Sequence, residues 1–169
     1  MKTLLILRHG KSDWQAGYAS DAERPLADRG IAAAELVGRF LRHTGQVPSK
    51  VISSTAVRAR GTAELAMQAG QWECAASFTD ALYGASVTSV LDLLQTENDA
   101  VPSLLLVGHQ PTWSELITDL TGGTSVRFPT AALARIDFEV DGWRDIRTGG
   151  GTLRWLVTPK LLQSAKLRG

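Results

Sequence analysis

Two apolar runs in this chain each end at a histidine. Residues 3–7 lead into Arg8 and His9, and residues 103–107 lead through a glycine into His109. Each run is short and rich in leucine, which predicts a strand buried on both faces of a parallel sheet. Because ligands bind at the carboxyl ends of such strands, the pattern places two imidazoles and one guanidinium at one edge of the sheet. This arrangement favours chemistry on an anion.

The next part of the chain alternates helical and strand patterns. Apolar residues at helical spacing predict a helix over residues 28–43, which Asp28 caps and after which Gly45 takes the left-handed position. The other predicted elements are a strand over residues 50–53, a helix that Ser54 or Thr55 caps and that stops at Gly70, a weaker strand over residues 74–78, a helix capped by Ser86, and a helix whose first residue is Pro111.

The last third of the chain has a different pattern. Residues 132–140 and 152–158 alternate apolar and polar positions, and a glycine-rich turn at residues 149–151 joins them, which predicts two antiparallel strands. Trp143 and Trp155 are assigned to packing in these strands, and a short helix over residues 159–167 follows. The predicted fold class is α/β, a three-layer sandwich whose mostly parallel central sheet is flanked by helices and carries an antiparallel C-terminal strand pair.

Length and composition predict one domain over residues 1–169, since the chain is long enough for a full core and is 44% hydrophobic. The first apolar run is too short for a secretory signal and no later run has transmembrane length, so we expect a cytoplasmic protein with no membrane partner. The single Cys74 permits no internal disulfide, which fits a reducing compartment, and it is expected to be a small buried apolar residue.

The charge pattern argues against nucleic acid as a partner. The formal net charge is +1, and no run of the chain is rich in lysine and arginine. From Arg127 onward there are eight basic and four acidic residues. The role of this mild positive bias is left open by the sequence.

A third segment brings a second arginine to the same edge of the sheet. Residues 53–58 leave a strand and enter a helix, so Arg58 lies in the first helical turn, where it opposes the helix dipole unless an anion binds there. His109 stands just before a helix start, whose free N–H groups also attract anions. Each segment alone is equally well explained as structural, but the three together favour a phosphate site. The histidines lack zinc-site spacing, so no metal is predicted.

Four motifs follow one another along the chain: LRHGKS, RPLADRG, SSTAVRARGTAE and LLVGHQPT. Together they resemble the histidine phosphatase superfamily, which is phosphoglycerate mutase-like in fold, over nearly the whole chain. Within it, the chain looks like the short phosphohistidine phosphatases of the SixA type, on the evidence of RPL before the first helix, LYG at residues 82–84, FPTAALA from Phe128, and the small size. The resemblance implies a phosphatase that needs no cofactor.

The resemblance also implies roles for individual residues. His9 would be the nucleophile that takes the phosphoryl group, and Arg8, Arg58 and His109 would hold its oxygens. The attacking nitrogen of His9 must be unprotonated, so we expect its other ring nitrogen to be held by a backbone carbonyl near Gly10. The remaining substrate-binding candidates are Gly10, whose lack of a side chain lets backbone approach a ligand, Arg24 and Gln110.

The proton donor is the least defined part of the predicted site. Many superfamily members present a glutamate after the arginine helix, whereas this chain offers only Asp80 there, and a solvated loop aspartate explains Asp80 equally well. Imidazole, with a pKa of about 6.5, leaves phosphorus with less help than an alcohol does. A site that lacks a dedicated general acid therefore favours protein phosphohistidine as substrate. The alternatives are a phosphomonoesterase for a small phosphorylated molecule and a non-catalytic protein that recognises phosphate.

The rim of the site is expected to be open and positively charged. Only 51 positions separate Arg58 from His109, which leaves no room for a large lid. Lys11 stands where many relatives carry a glutamate, which argues against a mutase. Arg24 either reaches the edge of the phosphate pocket or forms a surface ion pair with Asp28 or Glu23. Other rim candidates are Trp14, Tyr83 and Trp113, although packing inside a helix is favoured for Trp113.

Overall fold

A six-stranded sheet forms the centre of the computed structural model, which describes residues 1–123 and 125–165. The strands are β1 (Lys2–Arg8), β2 (Lys50–Ser54), β3 (Ala75–Thr79), β4 (Ser103–Gly108), β5 (Leu133–Phe138) and β6 (Gly151–Val157), in the order β3-β2-β4-β1-β5-β6. The first four strands along the chain pair in parallel, whereas β5 pairs antiparallel with both β1 and β6. This confirms the predicted mixed sheet.

Helices cover both faces of the sheet, which confirms the three-layer α/β fold. They are α1 (Asp28–His43), α2 (Val57–Gly70), α3 (Val87–Gln95), α4 (Thr112–Thr121) and α5 (Pro159–Ser164). Side chains alternate along β1, so that Leu5 and Leu7 pack with α1 and α2, while Leu4 and Ile6 pack with α3 and α4. The strands at the centre are apolar on both faces because each face has its own core.

The register between β1 and β4 determines where the two histidines lie relative to each other. Leu7 pairs with Val107 and Arg8 pairs with Gly108, so His9 and His109 leave their strands at the same edge of the sheet. The backbone N–H of His9 donates to the carbonyl of Gly108 at 3.0 Å, which continues the pairing to the start of the loop. The predicted convergence of the two strand ends is therefore present.

Helix starts are the main local error of the sequence prediction. Ala27, not Asp28, occupies the N-cap of α1, and Ala56, not Ser54 or Thr55, occupies that of α2, with no side-chain cap at either. Pro111 is the N-cap of α4 rather than its first residue. In contrast, Ser86 caps α3 as predicted, through a reciprocal capping box with Ser89. Gly45 also has the expected left-handed backbone, with φ of 66°.

The segment between β5 and β6 is longer and more structured than the predicted glycine turn. It contains a short 3-10 helix, Trp143–Asp145, so the assignment of Trp143 to a strand was wrong. Trp143 is fully buried, and its indole N–H donates to the carbonyl of Val101 at 2.8 Å. Alternating hydropathy cannot distinguish a strand from a loop that packs one large aromatic side chain into the core.

Three smaller predictions have mixed outcomes. The last predicted helix begins at Pro159 as expected, and the end predicted at residue 167 lies outside the described residues. Cys74 is half-buried at the edge of the core that contains α1 and α2, rather than fully buried. In residues 1–123 and 125–165, no helix combines the length and apolar character needed to cross a bilayer.

Candidate active site

His9 lies at the bottom of a pocket at the carboxyl end of β1. Its side chain is buried, with 7% of the residue exposed, and its Nδ1 lies 2.7 Å from the carbonyl oxygen of Gly10. A carbonyl can only accept, so Nδ1 carries the hydrogen and Nε2 has the free lone pair, as expected from the sequence. Burial, reinforced by nearby positive charge, lowers the pKa of His9 to about 3. His9 is therefore neutral at neutral pH, with a free lone pair on Nε2.

His109 stands beside His9, with 5.2 Å between the ring centroids. Its Nε2 lies 2.9 Å from the hydroxyl of Ser54, and that hydroxyl also accepts the backbone N–H of Ala56 at 3.2 Å. The hydroxyl hydrogen is then available for Nε2, which puts the hydrogen of a neutral His109 on Nδ1. Burial, with the charge of Arg58, lowers the pKa of His109 to about 4. Ser54 was expected only as a helix cap, and its contact with His109 was not predicted.

Two arginines reach the pocket from different elements, one from a strand and one from a helix. Arg8, the last residue of β1, donates to the carbonyl of Phe128 at 3.1 Å, and burial lowers the pKa of its guanidinium. Arg58, in the first turn of α2, is 5% exposed and lines the same pocket as His9. These positions bring together the four residues that the motifs single out as the phosphate site.

Asp21 organises the cationic side of the pocket and was missed by the sequence analysis. Its carboxylate accepts from Arg24 at 2.8 Å, from Arg58 at 2.9 Å and from the hydroxyl of Tyr83 at 2.7 Å. These hydrogen bonds, with that of Arg24 the largest, hold the pKa of Asp21 well below its usual range, while the same contact raises the pKa of Tyr83. Asp21 is therefore ionised and unsuited to donate a proton.

Arg24 reaches the pocket, which resolves the two options left by the sequence. It is 5% exposed, and its charged partner is Asp21 rather than Asp28 or Glu23. It also donates to the hydroxyl of Ser12, and its guanidinium stacks 3.6 Å from the ring centroid of Trp14. A planar guanidinium suits this combination of stacking and forked hydrogen bonds.

The pocket formed around His9 is small. It has a volume of about 210 Å³. We call this cavity the His9 pocket; it is lined by Arg8, His9, Lys11, Ser12, Trp14, Arg24, Arg58, His109, Gln110 and Thr130. Trp14 and Tyr83 are exposed beside it, at 64% and 40%, and Tyr83 packs edge-on against His109. The rim therefore includes exposed aromatic side chains around a buried floor.

Four buried nitrogen atoms at this pocket lack a hydrogen-bond partner. They are Nε of Arg8, Arg24 and Arg58, and Nδ1 of His109. Among residues 1–123 and 125–165, no other buried side-chain nitrogen or oxygen is left unpartnered. Buried polar groups are normally satisfied, so a cluster of unused donors in one place indicates a site for a ligand that accepts hydrogen bonds.

Three other residues predicted or considered for the site have structural roles. The Gly10 backbone lies so close to α1 that a Cβ would stand 2.7 Å from the carbonyl oxygen of Gly30, so packing, rather than ligand approach, requires glycine there. Gln110 lines the pocket, but its side-chain amide makes two hydrogen bonds with Ser114 at the start of α4. Its nitrogen donates to the Ser114 hydroxyl, and its oxygen accepts from the Ser114 backbone N–H. Trp113 is fully buried and donates to the carbonyl of Leu7, which confirms packing over a rim position.

Asp80 does not line the His9 pocket. It is exposed at the start of a 3-10 helix, Asp80–Leu82, and accepts a hydrogen bond from the hydroxyl of Thr55. In the described part of the chain, no carboxylate lines the pocket, and no group of three or more histidine, cysteine or acidic side chains is placed to hold a metal ion.

Comparison with known proteins agrees with this geometry. The sequence model of the histidine phosphatase superfamily (branch 1) matches residues 4–85. An uncharacterized protein of Mycobacterium tuberculosis is 37% identical over 91% of this chain and 100% of its own length. The chain therefore belongs to the histidine phosphatase superfamily.

Relatives with a named activity narrow the comparison to phosphatases. The phosphohistidine phosphatase SixA of Escherichia coli is 27% identical over 96% of this chain and 98% of its own. A solved structure of the protein histidine phosphatase SixA, complexed with tungstate, superposes with a TM-score of 0.81 at 28% identity and covers 94% of this chain and 97% of that one. These similarities support a phosphatase.

Proposed function

We propose that this protein hydrolyses phosphohistidine in a protein substrate, through a covalent phosphohistidine formed on His9. The observation that carries the proposal is the set of unpartnered donors on Arg8, Arg24, Arg58 and His109 around a neutral His9. Their positive charge and N–H groups suit a phosphoryl group, whose oxygens accept hydrogen bonds from several directions. A related structure solved with tungstate, a tetrahedral oxyanion like phosphate, supports this assignment.

In the first step, Nε2 of His9 attacks phosphorus in line with the departing nitrogen of the substrate. The new bond joins Nε2 to phosphorus, and the bond from phosphorus to the substrate imidazole breaks. The carbonyl of Gly10 holds the Nδ1 hydrogen while positive charge develops on the His9 ring. Arg8, Arg58 and His109 stabilise the charge on the phosphoryl oxygens, so the proposed mechanism includes no metal ion.

In the second step, water attacks the phosphorus atom bound to His9. The bond to Nε2 breaks, inorganic phosphate forms, and His9 returns to its neutral state. The same donors hold the phosphoryl oxygens throughout, because they are fixed by the protein before the substrate binds. The two steps together consume one water molecule and regenerate the enzyme.

The leaving group decides between substrate classes. An alkoxide needs a proton from a general acid, whereas a phosphohistidine that is protonated on its second ring nitrogen leaves as neutral imidazole. Asp21 is held ionised by its partners, and Asp80 lies outside the pocket, so neither carboxylate is suited to donate that proton. The described residues of the pocket therefore favour phosphohistidine over a phosphomonoester.

The decisive experiment compares a phosphohistidine peptide with a panel of phosphomonoesters. The wild type should cleave the phosphohistidine peptide with the higher kcat/KM, and His9→Ala should reduce that activity by at least about 1000-fold because it removes the nucleophile. His109→Ala should cost about 100-fold through the lost oxyanion donor. Rapid acid-free quenching and mass spectrometry should detect phosphorylated His9 in the wild type.

Asp80→Asn is the matched control, since it changes a nearby carboxylate that does not line the pocket. It should leave phosphohistidine cleavage within about twofold of the wild type. Undiminished turnover by His9→Ala would disprove the covalent mechanism. A higher kcat/KM for a phosphomonoester than for every phosphohistidine peptide would instead assign the alternative substrate class.

A further inference from the structure

A second cavity adjoins the His9 pocket and is lined by four cationic side chains. We call it the cationic cavity; its charged residues are Lys11, Arg29, Arg127 and Lys160, and its volume is about 660 Å³. The side chains that line it within the described residues include no carboxylate. The net charge of the whole chain is only +1, so this concentration of positive charge is local.

The four cations come from separate parts of the chain. Lys11 follows β1, Arg29 lies in α1, Arg127 precedes β5, and Lys160 lies in α5. Two of them belong to the last third of the chain, whose mild positive bias has no role in the His9 pocket. Folding therefore gathers charges that are unremarkable in the sequence into one cavity.

None of these four side chains has an ion pair or a side-chain hydrogen bond within residues 1–123 and 125–165. Several exposed arginines elsewhere in the described residues do have ion pairs, as Arg39 has with Glu35 and Arg60 with Glu64. Neighbouring like charges repel one another, and an anion bound among them removes that repulsion. The cavity thus has unused capacity for several negative charges.

The cationic cavity and the His9 pocket are adjacent because they share two lining residues. Lys11 and Thr130 line both, so a substrate that extends from the phosphoryl site past Lys11 enters the cationic cavity. The His9 pocket, at about 210 Å³, holds little more than the phosphoryl group and its leaving group. Most of a protein substrate must therefore lie outside the His9 pocket.

The exposure of the cations favours a polypeptide as the occupant. Arg29, Arg127 and Lys160 are exposed, and long flexible cations at a surface adapt to a chain that lies across them. A small-molecule site usually encloses most of its ligand, which these side chains do not do. Exposed charges also act over a distance, so they accelerate encounter with an oppositely charged partner.

We propose that the cationic cavity binds an acidic segment of the substrate protein next to its phosphohistidine. This inference rests on the proposed function and specifies its substrate class: a phosphohistidine protein with several aspartate or glutamate residues near the modified histidine. Lys11 links the two sites, while Arg29, Arg127 and Lys160 provide charge that only an extended acidic substrate reaches.

The test uses two phosphohistidine peptides that are identical except that flanking glutamates in one are glutamines in the other. At low salt, the wild type should cleave the acidic peptide with about tenfold higher kcat/KM, since a few exposed charge pairs each contribute modestly. The ratio should fall toward one as salt is raised. In the full-length variant Arg29→Gln/Arg127→Gln/Lys160→Gln, the ratio should be about one at all salt concentrations.

The matched control is Arg39→Gln/Arg144→Gln/Arg154→Gln, which removes the same charge from positions that line neither cavity. It should keep the preference for the acidic peptide. An equal loss in both triple variants would overturn the proposal, because general charge would then explain the effect. A preference for a small bisphosphate, with none for the acidic peptide, would also overturn it.

The outcomes separate this inference from the proposed function. If the wild type cleaves both peptides equally well, the proposed function stands and the role of the cationic cavity is wrong. If the wild type cleaves neither peptide, the proposed function fails, and the inference that depends on it fails as well.

Discussion

The His9 pocket and the cationic cavity share a wall but hold their positive charge in opposite ways. Arg24 and Arg58 are each 5% exposed, and both donate to Asp21. In contrast, Arg29 and Arg127 in the cationic cavity are exposed and unpaired within the described residues. Buried groups that are fixed in advance can stabilise charge that develops at one atom, whereas loose surface charges attract and select a partner.

The largest expected effect comes from replacing one arginine in each region and comparing the two losses of activity. Arg58→Ala should lower kcat/KM for a phosphohistidine peptide by about 100-fold to 1000-fold, as expected for the loss of a fixed donor to the transition state. Arg127→Ala should lower it by only about twofold, the effect of one exposed charge. Steady-state kinetics on both variants, with circular dichroism to check folding, makes the comparison.

Arg58→Lys sharpens this comparison because it keeps the charge and removes the forked donor. A lysine cannot hold Asp21 and a phosphoryl oxygen in the same plane, so most of the loss should remain. If Arg58→Lys restores activity to near the wild-type value, charge alone is sufficient, and the contrast between fixed and loose cations loses its basis.

Asp21→Asn tests whether fixing the arginines matters for catalysis. The carboxylate positions Arg24 and Arg58 but also repels an anion, so two effects are expected. The kcat should fall by about tenfold as the donors lose their alignment, while inorganic phosphate should inhibit several times more strongly as a negative charge is removed. Product-inhibition kinetics measures both.

Glu23→Gln is the control for Asp21→Asn, since Glu23 belongs to the same 3-10 helix, Asp21–Glu23, but accepts from the backbone of Ala19. It should change neither kcat nor phosphate inhibition appreciably. Weaker phosphate inhibition together with unchanged kcat in Asp21→Asn would contradict a positioning role.

The last expected effect concerns stability rather than catalysis, because the free energy of unfolding should depend on pH. Burial lowers the pKa of His9 to about 3 and that of His109 to about 4, below the value near 6.5 of an unfolded histidine. The unfolded chain therefore binds more protons below about pH 6.5, so the free energy of unfolding should fall with decreasing pH. Each histidine contributes about 1 kcal/mol per pH unit in that window.

Urea unfolding of the wild type and of His9→Gln/His109→Gln between pH 7 and pH 5 measures this effect. The double variant lacks both titrating side chains, so its stability should vary less with pH. Identical slopes in the two proteins would show that the histidines are not held neutral by the fold.

Much of the fold was predictable because its signals are local. The leucine-rich runs of β1 and β4, the capping box at Ser86 and the left-handed glycine after α1 depend on neighbouring residues only. Trp143 was misplaced because its burial depends on contact with Val101, which is distant along the chain. The N-cap residues of α1 and α2 differ from the prediction because no side chain caps these helices; the backbone N–H groups of Gly30 and Ala59 donate instead to the carbonyls of Ala27 and Ala56.

The candidate site was predictable where a residue type and an element boundary coincide. Arg8, His9, Arg58 and His109 all stand at the end of a strand or the start of a helix, which is a position that sequence patterns indicate. Asp21 does not stand at a strand end or helix start that the sequence pattern indicates. It lies in the short 3-10 helix Asp21–Glu23, and its importance comes from its contacts with Arg24, Arg58 and Tyr83, the last two of which are distant along the chain.

Local hydropathy and residue chemistry were thus sufficient to predict the three layers and the two histidine-bearing strand ends, and they led to the hypothesis of an anion site. These signals are short-range, because each depends only on a few consecutive residues. Tertiary structure alone decided that Asp21 holds Arg58, that Ser54 orients His109, and that Lys11 joins two cavities. These features depend on distances between segments far apart along the chain, which only packing of the complete fold determines.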